Sequence, residues 1–378
     1  LNPVNDYLLP FLQKALEPLI AFGALRIVRG GGREGAWLCE HDGIDSVHIT
    51  GSGATHDLIV WGPGEEGEAN RAAGTPKLTK PITSELGAVC PTIVVPGPWN
   101  ASDIQFQAEQ IATQKLHNSG FNCVACQVLV LPSDWEHTDA LMAAVEKTMH
   151  DAPTRGLYYP GAEERLSAFA DHADNVVPFD RPGTQACLVQ TASTDASYME
   201  QTEVFGPAMG TVRIAGDGPE AYLRAAVAYA NERLHGTLGA NILIHPATIR
   251  EIGTQTFDNI VGGLKYGAIA INAWTGLAFL MPQCTWGAFP GHTLDDVQSG
   301  IGIVHNTWMF DEAERSVVTA PFRPFPRTVL SGGMTMLPKP PWFVTNTRGA
   351  EMGRWLTDFA HEPGWLKLPR IFFHALQG

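Results

Sequence analysis

Residues 126–132 read CQVLVLP, seven residues without a charge around an unbroken V-L-V-L centre. A strand with one wet face alternates apolar and polar side chains. A run this uniform is buried on both faces, which calls for helices above and below it and so for a parallel sheet with crossover connections. The flanking segments fit. ASDIQFQAEQIATQKLHNSG (101–120) has apolar residues at helical spacing, Asp103 near its start and Gly120 at its end, and TDALMAAVEKTMHD (138–151) is a second amphipathic helix. Further strand–helix units are expected at 219–236 and 240–257, and 81–97 reads as strand with turn residues. In the first sixty residues, Leu8, Leu12, Leu16 and Leu19 recur at helical spacing. ALRIV (24–28) reads as a buried strand, GAWLCEHD as a short helix, and DSVHIT (45–50) as another strand. The expected class is therefore α/β. Beyond residue 290 the pattern loosens into proline-punctuated segments, RPFPRTV and LPKPPWF, with one helix at 349–361.

The 378 residues, 44% hydrophobic, suffice for a large core and two domains. A net charge of −14 with no run of Lys or Arg argues against nucleic acid or an anionic membrane as the main partner. Six scattered cysteines make neither a disulfide framework nor a four-thiolate zinc site, so no metal is expected. The most apolar stretch, 268–282, is interrupted by Asn272 and is short for a bilayer span. A soluble cytoplasmic protein with reduced thiols is expected.

The cysteine pair Cys123 and Cys126 admits two readings. As CxxC it would be a redox pair, yet such pairs sit at helix N-termini, and here the cysteines follow a helix and lead into a strand. As separate residues they are a single reactive thiol with a bystander, or two inert buried cysteines.

Around them, HNSGFNCVACQVLV resembles the nucleophile segment of the aldehyde dehydrogenase superfamily, F-x-N-x-G-Q-x-C-x-A followed by a strand. Asn118, Gly120, Cys123 and Ala125 fall on the pattern, and Phe121 stands at the Gln position. Other segments resemble the family in the same order. HITGSGATH (48–56) is similar to its FTGS cofactor segment, with His56 where the family has Gly. SELGAVCP (84–91) is similar to ELGG-x-x-P, and TEVFGPAMG (202–210) to E-[EI]-x-F-G-P. IAINAW (269–274) and TWGAFPG (285–291) are similar to two later motifs.

The resemblance implies NAD- or NADP-dependent oxidation of an aldehyde to an acid. Cys123 would be the nucleophile, giving a thiohemiacetal and then a thioester, and Glu85 would activate the hydrolytic water. Thr50, Gly51, Ser52, Leu86, Glu203 and Phe205 would hold the cofactor. Phe121, Asn122 and Val124 would line an apolar substrate pocket. Presence of Glu85 favours hydrolysis over transfer to coenzyme A.

The implied domains are the C-terminal part of a Rossmann-like dinucleotide-binding domain over 1–86 and a catalytic domain over 87–290. A C-terminal segment over 291–378 would pack on the core or at a subunit interface. The segment that precedes the equivalent of Leu1 in full-length members, with its oxyanion Asn, is not among these residues, so the chain is expected to be part of a longer polypeptide. A homodimer or homotetramer is implied. Two rivals remain: a catalytically inactive family member serving as a scaffold or partner subunit, and a thiol switch at Cys123 and Cys126.

Overall fold

The computed structural model describes residues 3–153, 155–181, 184–187, 196–331 and 338–378. The chain divides into two compact units, Leu1–Ser84 with Thr293–Asp296, and Glu85–His292 with Val297–Gly378.

The first unit contains α1 (Leu9–Ala15), α2 (Glu17–Phe22), α3 (Gly32–Glu40), β1 (Val47–Gly51), α4 (Gly53–Val60) and α5 (Gly64–Ala73). Strand β2 (Ile82–Leu86) begins in it and pairs with β1; the Val47 N–H donates to the Pro81 carbonyl at 2.9 Å. The expected strand at 24–28 is not formed. Residues 25–30 are irregular and Val28 is half exposed. Its β-branched residues suit a strand, but Gly23 caps α2 in the left-handed conformation and three glycines follow at 30–32. Short apolar runs need a ladder to be strands, and this one joins none of the sheets among the described residues.

The second unit is built on β3 (Cys90–Val94), α6 (Ala101–Leu116), β4 (Cys126–Pro132), α7 (Thr138–Asp151), α8 (Ala162–Asp171), β5 (Pro178–Arg181), β6 (Thr184–Cys187) and α9 (Ala196–Gln201). It continues through β7 (Gly210–Ile214), α10 (Gly218–Arg233), β8 (Gly239–Leu243), α11 (Pro246–Ile252), α12 (Thr254–Gly262), β9 (Ala268–Ile271) and α13 (Thr275–Leu280). Then come β10 (Trp286–Gly287), β11 (Ile303–His305), β12 (Ser316–Thr319), α14 (Gly349–His361) and α15 (Leu368–Ala375). Among the described residues its main sheet has six strands in the order β12-β9-β8-β3-β4-β7, every neighbouring pair parallel.

Strand β4 shows why its sequence is uniformly apolar. Val128 and Val130 pack with Tyr222 and Leu223 of α10 on one face. Leu129 and Leu131 pack with Ile111 of α6 and Leu141 of α7 on the other. Each side chain buried this way contributes about 1.5–3 kcal/mol, so the strand belongs at the centre of two helical layers.

The C-terminal segment docks on its own unit. The Val344 N–H donates to Thr113 Oγ1 at 3.1 Å, Thr345 Oγ1 donates to Glu109 Oε2 at 2.8 Å, and the Phe343 ring stacks on Phe106 with centroids 5.5 Å apart. Both anchors and the stacked ring are on α6. No helix among the described residues is long and apolar enough to cross a membrane.

Candidate active site

Helix α6 ends at Leu116, and the chain then turns sharply. Asn118, Ser119 and Gly120 all have left-handed backbones, with φ of 55°, 56° and 75°. Gly120 is required twice over, since a Cβ there would lie 2.3 Å from the Gly206 carbonyl oxygen. The turn delivers Cys123 three residues before β4.

Its loop is held on every side. Asn122 Oδ1 accepts the Val124 N–H at 3.1 Å, and the Asn122 carbonyl accepts the Ala125 N–H at 3.1 Å. The Trp274 indole donates to the Val124 carbonyl at 2.8 Å, and Cys90 Sγ donates to the Cys123 carbonyl at 3.4 Å.

The two cysteines differ in setting. Cys126 is fully buried as the first residue of β4, with its sulfur 3.5 Å from Met209 Sδ. Cys123 is half-buried, 3.9 Å from Asn122 Oδ1. Burial pushes the Cys123 thiol well up, the nearby carboxylates of Glu85 and Glu203 push it further, and the N–H groups of Cys123 and Val124 only partly offset this. The resting thiol therefore keeps its proton at neutral pH, and a base must take it when the sulfur reacts.

Glu85, 4% exposed, is a buried carboxylate and not the solvated one that an isolated Glu would be. Its Oε1 accepts the indole N–H of Trp286 at 2.6 Å. Leu86 follows, buried, with its N–H on the Ser299 carbonyl at 2.8 Å.

Glu203 sits against Gly87, where a Cβ would come within 1.8 Å of its Oε2. Its Oε1 is buried without a hydrogen-bond partner. Burial raises its pKa to about 7 despite the opposing pull of Lys115, the Ala88 N–H and Arg165. Arg165 also holds the loop after Glu203, donating to the carbonyls of Val204 at 3.0 Å and Phe205 at 3.4 Å. Phe205 itself has a φ of 41°, a strained value for an aromatic residue.

Lys115 belongs to this neighbourhood and is not singled out by sequence reading. It is 1% exposed, its Nζ donates to the Gly206 carbonyl at 3.1 Å, and burial lowers its pKa to about 8. The signal is its spacing from Ile104, Ala108 and Ile111, which puts a lysine on the buried stripe of α6.

Phe121, 5% exposed, joins an aromatic cluster with Tyr158, Tyr159 and Phe205, at centroid distances of 4.9, 5.6 and 5.9 Å. Asn122 is half-buried beside the sulfur. Val124 is 2% exposed and packs with Ala88, Cys90 and Trp274, so it backs the cysteine loop from the core side.

Thr50, Gly51 and Ser52 lie in the first unit, at the end of β1 and the start of α4, and all three are exposed. Ser52 caps α4, its Oγ accepting the Thr55 N–H at 3.2 Å. The neighbouring His56 ring is turned fully inward, with Nδ1 3.1 Å from Asp57 Oδ1, and does not crowd the helix start.

Comparison with known proteins bears on this arrangement. Residues 10–159 match the "Aldehyde dehydrogenase family". The chain is 27% identical over 256 residues to N-succinylglutamate 5-semialdehyde dehydrogenase 1 of Caulobacter vibrioides, covering 63% of this chain and 49% of that protein. It is 26% identical over 270 residues to geranial dehydrogenase of Castellaniella defragrans, covering 65% of this chain and 51% of that protein. Among solved structures, γ-glutamyl-γ-aminobutyraldehyde dehydrogenase from Burkholderia cenocepacia superposes with a TM-score of 0.55 at 20% identity, over 74% of this chain and 53% of that one. The chain thus spans about half the length of the relatives it matches. The parallel α/β fold is thus shared with these dehydrogenases, and residues 10–159 carry the sequence match to the aldehyde dehydrogenase family.

Proposed function

We propose that the polypeptide carrying this chain oxidises an aldehyde to a carboxylic acid, with NAD or NADP as acceptor. The observation that carries the reading is Cys123, presented on a rigid left-handed turn with the carboxylates of Glu85 and Glu203 acting on its thiol. An aldehyde carbon holds its hydrogen until it becomes tetrahedral, and a sulfur nucleophile makes it so. Cys123 gives up its proton to a neighbouring carboxylate, Sγ bonds to the carbonyl carbon, and the oxygen takes the negative charge. Loss of hydride from that carbon leaves a thioester on Cys123. Glu85 then takes a proton from water, the hydroxide adds to the acyl carbon, and the C–S bond breaks to release the acid. A bound nicotinamide supplies the two-electron acceptor for the hydride.

The residues present fit such a cofactor. The buried, unpartnered Glu203 Oε1 is an acceptor awaiting a hydroxyl donor, as a ribose offers, and Phe205 beside it is a flat apolar surface. Leu86 is assigned to the same site, and Thr50, Gly51 and Ser52 are assigned to the pyrophosphate through the N–H groups at the start of α4. Phe121 and Asn122 are assigned to the aldehyde. Among solved relatives, an indole-3-acetaldehyde dehydrogenase carries NAD+ and a glyceraldehyde-3-phosphate dehydrogenase of Bacillus halodurans carries NADP. A cytoplasmic homodimer or homotetramer completes the reading.

The test is an aldehyde panel with NAD and with NADP, reading NAD(P)H absorbance. Wild type should turn over, and Cys123→Ser should fall to background with its thermal stability kept. Absence of turnover with every aldehyde and both cofactors would leave the scaffold alternative.

A further inference from the structure

The left-handed backbone of Phe205 is gripped by a side chain from another element. Arg165, half-buried on α8, donates Nε to the Val204 carbonyl at 3.0 Å and Nη2 to the Phe205 carbonyl at 3.4 Å. These are the two carbonyls that flank the Phe205 Cα. A planar guanidinium bonded to both sets one peptide plane against the other, and so sets φ and ψ between them. A backbone conformation this sparsely populated persists only where its surroundings over-determine it.

The same guanidinium reaches further. Its Nη1 donates to the Pro160 carbonyl at 3.1 Å, and its carbon lies 6.0 Å from the centre of the Tyr159 ring. Tyr159 meets Phe205 edge-on, with centroids 5.0 Å apart, and the Tyr158 hydroxyl donates to Asn118 Oδ1 at 3.0 Å. Asn118 opens the left-handed turn before Cys123. Arg165 therefore fastens the loop of Glu203 and Phe205 to the tyrosines that brace the cysteine turn. Gly161 leaves room for it, since a Cβ there would lie 3.0 Å from Nη1.

Two further tethers of the loop are single points. Gln127 Oε1 accepts the Val204 N–H at 2.9 Å, and Lys115 Nζ donates to the Gly206 carbonyl. Neither spans the Phe205 Cα as the Arg165 fork does.

We propose that Arg165 is a positioning residue of the site: its fork sets the Phe205 backbone and thereby aims Glu203 and the Phe205 ring at the nicotinamide riboside of the cofactor. The ligand's identity rests on the dehydrogenase reading, and the fork rests on geometry alone. A lysine would keep the positive charge near Glu203 but offers no fork, so Arg165→Lys separates the two roles.

Hydrogen exchange of the cofactor-free protein reads the fork without turnover. A hydrogen bond to a charged group is worth roughly ten- to hundredfold in an equilibrium. The Val204 and Ala208 amides should therefore exchange about tenfold faster in Arg165→Lys, while those of β4 and β8 keep their wild-type rates. In steady-state assays of the polypeptide carrying this chain, the variant should raise the KM for NAD or NADP about tenfold, with kcat and the aldehyde KM held within about twofold. Arg165→Met, which removes the charge as well, should do no better than Arg165→Lys.

Unchanged exchange in Arg165→Lys, or faster exchange with an unchanged cofactor KM, would overturn the proposal. A normal Arg165→Lys beside an impaired Arg165→Met would overturn it too, reducing Arg165 to a charge acting on Glu203. Faster exchange in the variant of a protein whose wild type oxidises no aldehyde with either cofactor would sink the dehydrogenase reading, and the cofactor role of Arg165 with it, while the fork itself stands.

Discussion

Asp103, in the first turn of α6, and Glu203, near its last, are both carboxylates withdrawn from water, and their surroundings differ. Asp103 accepts Arg323 Nε at 2.6 Å and Nη2 at 2.7 Å, Arg327 Nη2 at 2.6 Å and the Asn100 N–H at 3.0 Å. Burial pushes its pKa up, but the Arg323 hydrogen bonds, the Asn100 N–H and the two guanidinium charges together bring it below the ordinary value. Glu203 has the Ala88 N–H and two more distant cations, and burial wins. Asp103 is saturated and so structural: it ties the chain near residue 323 to the start of α6. Glu203 keeps a buried oxygen, Oε1, without a hydrogen-bond partner.

Asp103→Asn should have the largest effect on stability. It strands two part-buried guanidinium groups without their counter-charge, and a loss of about 3 kcal/mol is expected in urea unfolding at pH 7. The Asp103 contribution is present above its ordinary pKa of 3.8 and is lost as pH falls through the lower folded value, so the wild-type advantage should shrink in acid.

Glu203→Gln should act in the opposite sense. Folded Glu203 holds its proton up to about pH 7, whereas the unfolded chain releases it near 4.5. The folded state therefore binds the extra proton within that window, and stability falls as pH rises through it. The Gln variant should flatten this slope and unfold at higher urea than wild type at pH 8. A steeper slope in the variant would place Glu203 with Asp103 and break the comparison.

Glu85→Gln tests whether the carboxylates raise the Cys123 thiol. Removing one negative charge lowers the thiol pKa, so alkylation of the cofactor-free chain at pH 8 should quicken severalfold. Under the proposed mechanism the same variant should release a burst of NAD(P)H and then stall at the thioester. Slower alkylation would mean that Glu85 acts on the resting thiol chiefly as its base. The smallest expected effect is that of Lys115→Met, which removes a charge that draws Glu203 down, so the Glu203 window should move to higher pH.

Much of this fold is legible in the sequence where burial and period agree. Strand β4 and helices α7 and α14 occupy the segments their patterns mark, because each is long or uniform enough to impose its own period. The 24–28 run was not legible, since β-branched residues beside glycines also suit irregular chain. Lys115 was hidden by the habit of assigning long charged side chains to solvent. The attachment of 338–345 to α6 rests on prolines and single hydrogen bonds, which leave no periodic trace. The motifs stand out in the sequence, but the orphaned Glu203 oxygen does not, because it depends on Gly87 being close in space.

The strand order also has a topological consequence. Strands β4 and β7 continue to one side of β3, and β8, β9 and β12 to the other, so the winding reverses between β3 and β8. Open parallel sheets ordinarily admit ligands beyond the carboxyl ends of the strands at such a reversal. Here that crevice is plugged. Trp99 follows β3 and His245 follows β8, and both rings close on Phe322, at centroid distances of 5.2 and 5.0 Å, beside the Asp103–Arg323 pair. Cys90 and Cys123 lie at the opposite, amino edge of β3 and β4. Drift in the plug should therefore register in how firmly the sheet is held, while drift at the amino edge should register in what the protein can bind.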